Sequence, residues 1–141
     1  MSLKKIKLFF LKLVAIMKLL HFVLFELNKI RKAKAVFFFP FYHTGGAEKI
    51  HLNIVRALNN PNNYVLLTQK SSSDNYRSQF LLNANCCEVY DLLHRNYFIR
   101  NQFIKLLSRE LNKSKELISL FGSNAFFFYK LIPLLNDSIK K

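Results

Sequence analysis

Two hydrophobic periods divide this chain near residue 34. Before that point Ile6, Phe9, Leu13, Ile16, Leu20, Leu24 and Leu27 recur at intervals of three and four, which places them on one face of a helix. Lys4, Lys7, Lys18 and Lys29 fall opposite, but Leu11, Phe22 and Phe25 interrupt the lysine stripe. The predicted helix is therefore apolar nearly all round and must lie against something. A bilayer-crossing helix needs about 20 apolar residues, whereas the longest uncharged run, Leu19–Phe25, has seven. A central Lys costs roughly 2.5–3.5 kcal/mol on insertion and the best apolar residues return roughly 0.3–0.6 kcal/mol each. With Lys12, Lys18, His21 and Glu26 counted, insertion comes out near zero. The pattern predicts a helix lying in a membrane interface, with docking on the protein's own core and crossing the bilayer as alternatives. Lys18 and His21 also break the apolar region that a cleaved signal would need.

From Ala35 short apolar runs alternate with helical stretches, the pattern of βαβ units. Strands are expected at Val36–Phe39, Tyr64–Thr68, Cys87–Leu92 and Leu117–Phe121. Helices are expected at Ala47–Asn59, Tyr76–Leu82, Phe98–Leu111 and Asn124–Leu135, with Gln69–Asn75 a polar loop. In Phe98–Leu111 the period turns Ile99, Phe103 and Leu106 inward and Arg100, Lys105 and Arg109 outward. The fold class is α/β: a partial Rossmann-like parallel sheet of about four strands with flanking helices, preceded by an N-terminal amphipathic helix. The division is 1–34 for the basic helix and 35–141 for the incomplete Rossmann-like domain. The fourth strand is expected to leave an apolar edge exposed.

Charge sharpens the reading of the first segment. Residues 1–34 hold nine Lys/Arg against the single Glu26, and the remaining residues hold thirteen against seven. The densest basic stretch is also the most apolar one, which favours an anionic membrane surface over nucleic acid as partner. The expected location is cytoplasmic, peripheral at the inner face of the plasma membrane. An apolar content of 51% with fifteen Phe excludes a disordered chain.

Candidate chemistry gathers at two turns. Gly45-Gly46 closes the turn between the first strand and its helix, where glycine permits positive φ and close approach and where the helix offers free N–H groups. The pair also suits a plain tight turn, and it lacks the spacing of a dinucleotide or Walker loop. Gly122-Ser123-Asn124 repeats the arrangement after the fourth strand, with Ser123 or Asn124 as a helix N-cap. In a sheet of order 3-2-1-4 these two turns flank the crevice where such folds bind ligands.

Pro40–Leu58, with Thr44-Gly45-Gly46-Ala47-Glu48 followed by Lys49 and an amphipathic helix, resembles the opening of glycosyltransferase family 4 enzymes of the GT-B fold. GSNAFFFYKLIPLL, residues 122–135, is similar to the corresponding stretch of bacterial members. The resemblance covers about Val36–Leu135. It implies two Rossmann-like domains across a cleft, of which this would be the N-terminal, acceptor-side one, with Gly45 and Gly46 as the donor-facing turn. It makes His43, Thr44, Glu48, Gly122, Ser123 and Asn124 candidate substrate contacts and leaves catalytic residues unknown. The implied activity is transfer of a sugar from a nucleotide-sugar donor, as substrate, to a glycan or lipid-linked acceptor, with no metal or other cofactor. The family's nucleotide-sugar domain, with its two glutamates eight positions apart, has no counterpart before Lys141, and no functional His follows the fourth strand. The chain is expected to be the front part of an enzyme, a fragment or a truncated product, inactive as 1–141.

The other reactive side chains are sparse. His51 sits beside Ile50 and Ile54 and reads as packing or surface, while His21 and His94 have no evident partners. Adjacent Cys86-Cys87 makes a poor metal site and suits buried thiols in a reducing compartment. A non-enzymatic membrane-associated or nucleic-acid-binding α/β domain is the alternative, supported by charge alone.

Overall fold

Ala35–Phe39, five residues without a polar side-chain atom, form β1, and every one of them is buried. A strand covered on both faces belongs at the centre of a parallel sheet, and the computed structural model, which describes residues 3–43, 45–115 and 119–140, places it there. β1 pairs on one side with β2 (Tyr64–Leu67) and on the other with β4 (Ser119–Gly122); β3 (Asn85–Glu88) pairs with β2. All pairs are parallel and the order is β3-β2-β1-β4. Residues 117 and 118 of the expected fourth strand lie outside the described residues.

Helices cover both faces. On one, α3 (Gly46–Leu58) and α4 (Arg77–Asn83) pack Leu52, Val55 and Phe80 against Phe37, Phe39, Val65 and Leu67. On the other, α5 (Tyr90–His94), α6 (Tyr97–Lys113) and α7 (Phe126–Leu131) bring Leu92, Phe103, Leu107 and Phe128 against Val36, Phe38, Leu66 and Leu120. Asn96 caps α6, its side chain accepting from the N–H groups of Phe98 at 2.8 Å and Ile99 at 3.2 Å. Inside α6 the buried positions include Ile99, Phe103, Leu107 and Leu111; Leu106 is half-buried.

Two boundaries depart from the expected pattern. The third strand runs from Asn85 to Glu88, and Tyr90–His94 is helical because Val89, Leu92 and Leu93, at helical spacing, all turn into the core. The last helix begins at Phe126 and passes into a 3-10 turn, Ile132–Leu134, where Pro133 has no N–H to continue an α-helix. The β4 edge is partly covered, since the Leu120 N–H donates to the Lys140 carbonyl at 2.8 Å.

The N-terminal segment is α1 (Leu3–His21), a π-helical turn (Phe22–Glu26) and α2 (Leu27–Arg31). Residues 5–31 are long and apolar enough, by length and composition, to cross a membrane. Its contact with the body is not the face that the 3-4 spacing marks out. Ala15, Phe22, Leu27 and Ile30 are buried in the core with α6, whereas Phe9, Leu13, Ile16, Leu20 and Leu24 are exposed. Phe22 meets Phe103 edge-on at 4.9 Å between ring centres. Lys18 pairs with Asp91 of α5, so a lysine of the stripe faces the body.

The π turn also buries Glu26. Its carboxylate accepts a hydrogen bond from the Tyr64 hydroxyl, itself wholly buried, and lies 3.1 Å from Lys29 Nζ. Burial first, then the neighbouring Cys87 and Glu26, hold the Tyr64 hydroxyl protonated far above its ordinary range. A hydrogen bond to a buried charged group contributes about 1.5–3 kcal/mol. Tyr64→Phe is expected to lower unfolding free energy by about that amount in urea melts in mild detergent. A wild-type melt for that variant would remove this bond from the account of how α1 is held.

Candidate functional site

The site is the C-terminal edge of the sheet, where β1 and β4 lie side by side and the chain leaves them in opposite directions. After β1, Pro40–His43 is fastened to the β2 side: Gln69 N–H donates to the Pro40 carbonyl at 3.0 Å, and Tyr42 N–H donates to Ser71 Oγ at 3.0 Å. The Tyr42 hydroxyl donates to Glu88 Oε1 at 2.6 Å. Burial and this carboxylate raise its pKa well above the usual phenol value. After β4, Ser123 N–H donates to the Phe38 carbonyl at 3.1 Å, so Gly122 and Ser123 stand directly beside the end of β1. The loop that leads to Gly45-Gly46 and the Gly122–Asn124 turn thus leave adjacent strand ends.

What the glycines do there differs from the expectation. Neither Gly45 nor Gly46 has positive φ; Gly45 is extended at φ −171° and caps α3 without a side chain. Gly45 accommodates Glu48, whose Oε2 would lie 2.0 Å from a Cβ at position 45. Glu48 is buried, and its charge sits at the positive end of α3. The helix end expected to attract phosphate therefore already carries a carboxylate in its first turn. Around Gly46 a Cβ would meet nothing within 4 Å.

Gly122 is a packing glycine: a Cβ there would come within 2.1 Å of the Phe128 ring. Neither Ser123 nor Asn124 caps α7, whose first flanking residue is Ala125 with no side-chain cap bond. Asn124 instead takes the left-handed conformation, φ 53°, that reverses the chain between β4 and α7. His43 lies against Phe41, 4.4 Å between ring centres, and its Nδ1 is enclosed without a hydrogen bond among the described residues. Thr44 lies outside the described residues.

His51, read from sequence as packing or surface, belongs to the core behind the turn. Its ring stacks on Phe39 at 4.1 Å, nearly parallel, and its Nδ1 makes no hydrogen bond among the described residues. Burial lowers its pKa and Glu48 opposes that shift. His94, expected to lack a partner, approaches the Thr68 carbonyl at 3.3 Å, and His21 lies 4.0 Å from Glu26. Cys86 and Cys87 are free thiols on β3, and burial pushes both up to about 12. Among the described residues no group of three His, Cys, Asp or Glu is placed to hold a metal.

Sequence reading missed a cavity at this edge. Thr68 and Gln69 after β2, His94 of α5, Arg100 of α6, and Phe126, Phe127 and Lys130 of α7 enclose about 90 Å³. It lies on the α5–α7 side of the sheet, opposite α3. The residues come from four separate segments, so no local motif announces it. The signal available was the basic-aromatic character of Arg95–Arg100 and Phe126–Lys130. Comparisons with protein-family models, curated proteins and solved structures return no match for this chain.

His51 gives the site a pH signature. Its folded pKa is lowered from 6.5, so protons bind the unfolded chain more readily. Its contribution is complete above about 6.5 and is lost as pH falls from there through the folded value. Urea melts of the wild type and His51→Phe between pH 7.5 and 5 are expected to show the steeper acid loss in the wild type. Equal losses would mean that His51 is not buried as a neutral ring.

Proposed function

We propose that residues 35–141 are the acceptor-side half of a sugar transferase, working with a nucleotide-sugar donor and a glycan or lipid-linked acceptor at a membrane surface. The observation that carries this reading is that the loops bearing Gly45-Gly46 and Gly122–Asn124 leave the adjacent ends of β1 and β4, where the strand order reverses. Ligands of open α/β sheets bind at such reversals, and the residues of both turns are those that resemble glycosyltransferase family 4. The open space at Gly46 is consistent with a ligand passing close to the backbone. Glu48 at the head of α3 supplies acceptors for sugar hydroxyls and disfavours a bare phosphate at that point.

The division of labour follows from this edge. The α3 turn holds the donor's sugar end, the α7 turn lines the opposite wall, and the exposed apolar face of α1 keeps the domain against the bilayer. A non-enzymatic membrane-associated domain is the second reading, and the same exposed face of α1 favours it.

Glycine labelling tests the assignment without an activity assay. The chain has three glycines, Gly45, Gly46 and Gly122, and all lie in the two turns. In 15N-glycine-labelled protein in mild detergent, sugar nucleotides at millimolar concentration are expected to shift the Gly45 and Gly46 amides, and the same nucleotides should give no turnover with chain 1–141 alone. Unmoved glycine resonances across a panel of uridine, guanosine and thymidine diphosphate sugars would overturn the donor-facing turn. Turnover by 1–141 would overturn its reading as half of a transferase.

A further inference from the structure

The helix α1 runs antiparallel to the strands. Its C-terminal continuation leads into the start of β1, while Lys18, in its second half, pairs with Asp91 just beyond the end of β3. Residues 3–14, which precede the buried Ala15 of α1, therefore extend past the ligand edge of the sheet by at most about 18 Å at 1.5 Å per residue. Phe9, Phe10, Leu13 and Val14 on this overhang are exposed.

The same edge of the body carries a second apolar group. Tyr97 is 71% exposed, Phe98 68%, Phe126 82% and Tyr129 65%. They are at the beginnings of α6 and α7, which both start at the C-terminal edge of the sheet. The exposed residues of α6 and those of α7 are linked, because Arg100 lies over the Tyr97 ring at 4.9 Å and lines the cavity together with Phe126 and Lys130. From Leu92 to Arg109 and from Ser119 to Asn136 the sequence contains no Asp or Glu, and Arg100 and Lys130 supply positive charge at this edge, whereas Arg95 is paired with Asp91. Exposed aromatic rings interleaved with cations suit the headgroup region of a bilayer, where rings have one wet and one apolar side and cations meet lipid phosphates.

We propose that this edge, through Tyr97, Phe98, Phe126 and Tyr129 with Arg100 and Lys130, docks on an anionic phospholipid surface alongside the overhang of α1. The body is then not merely tethered by α1 but oriented by it, with the crevice between β1 and β4 opening at the headgroup level. A substrate reaching the crevice in that orientation is one whose anchor stays in the bilayer. The docking surface stands independently of the sugar-transferase reading, since it needs only these side chains and the lipid.

The chain contains no Trp, so a single introduced indole reports its own surroundings. Two edge variants, Phe126→Trp and Tyr129→Trp, both at exposed positions, are compared with a control, Leu58→Trp, at a position 52% exposed at the far end of α3. Each full-length variant is reconstituted on vesicles of phosphatidylglycerol and phosphatidylcholine with brominated acyl chains. The expected result is a blue shift and at least twofold quenching of the indole in both edge variants, with the control unquenched. Chain that floats with the vesicles while the edge variants stay unquenched overturns the proposal and leaves the edge to a protein partner. A blue shift that appears without lipid and grows with protein concentration also overturns it, in favour of a second copy of this chain. Equal quenching of the control does the same, because no edge would then be selected.

Discussion

The burial of β1 on both faces governs this architecture. A parallel strand with no polar side chain tolerates water on neither side, so each face must be roofed by helices. The side chains of Ala35–Phe39 alternate: Val36 and Phe38 face α6 and α7, and Ala35, Phe37 and Phe39 face α3 and α4. Ring contacts carry this through both layers, Phe38 to Phe128 at 5.3 Å on one side and Phe39 to His51 at 4.1 Å on the other. The crossovers through α3 and α4 cover one face as the chain passes from β1 to β2 to β3, and the crossover through α5 and α6 covers the other as it returns to place β4 on the free flank of β1. The reversal of strand order at β1 is thus a by-product of hiding one strand.

The N-terminal helix was legible in existence and extent but not in orientation. Counting intervals of three and four assumes 3.6 residues per turn throughout, and on that count Leu27 joins Leu20 and Leu24. The π turn at Phe22–Glu26 accommodates one more residue and rotates the helix beyond it by roughly 100°. Leu27 and Ile30 consequently share the buried face with Ala15 and Phe22, and Glu26 meets the Tyr64 hydroxyl. No periodicity could reveal this, because the carboxylate that accompanies the turn finds its partner on a strand 38 residues away.

At the edge of the sheet, the positions of the turns followed from local grammar: an apolar run, one or two glycines, then a helical pattern. The purposes of the glycines did not. Gly45 makes room for a carboxylate three residues on, and Gly122 for a ring six residues on. Both are steric matters decided by where a neighbouring side chain folds back, and both use the missing Cβ rather than the freedom of φ. Asn124, not a glycine, takes the left-handed conformation. The cavity of Arg100, Phe126 and Lys130 was illegible for the complementary reason that its walls meet only once the sheet has formed.

These placements divide the ligand edge electrostatically. On the α3 side a buried carboxylate, Glu48, stands at the helix N-terminus and offsets the partial positive charge there. On the α6 and α7 side Arg100 and Lys130 border an apolar cavity whose surrounding stretches of sequence contain no acid. An anionic group arriving at the edge is drawn to the second side, while groups that donate hydrogen bonds are better matched to the first. The overhang of α1 lies on the same sheet face as the cationic side, since α1 packs with α5 and α6 in one core. Arg100, Lys130 and the exposed apolar residues of α1 therefore share one side of this edge, and a ligand combining an anion with an apolar tail is matched to that side rather than to Glu48.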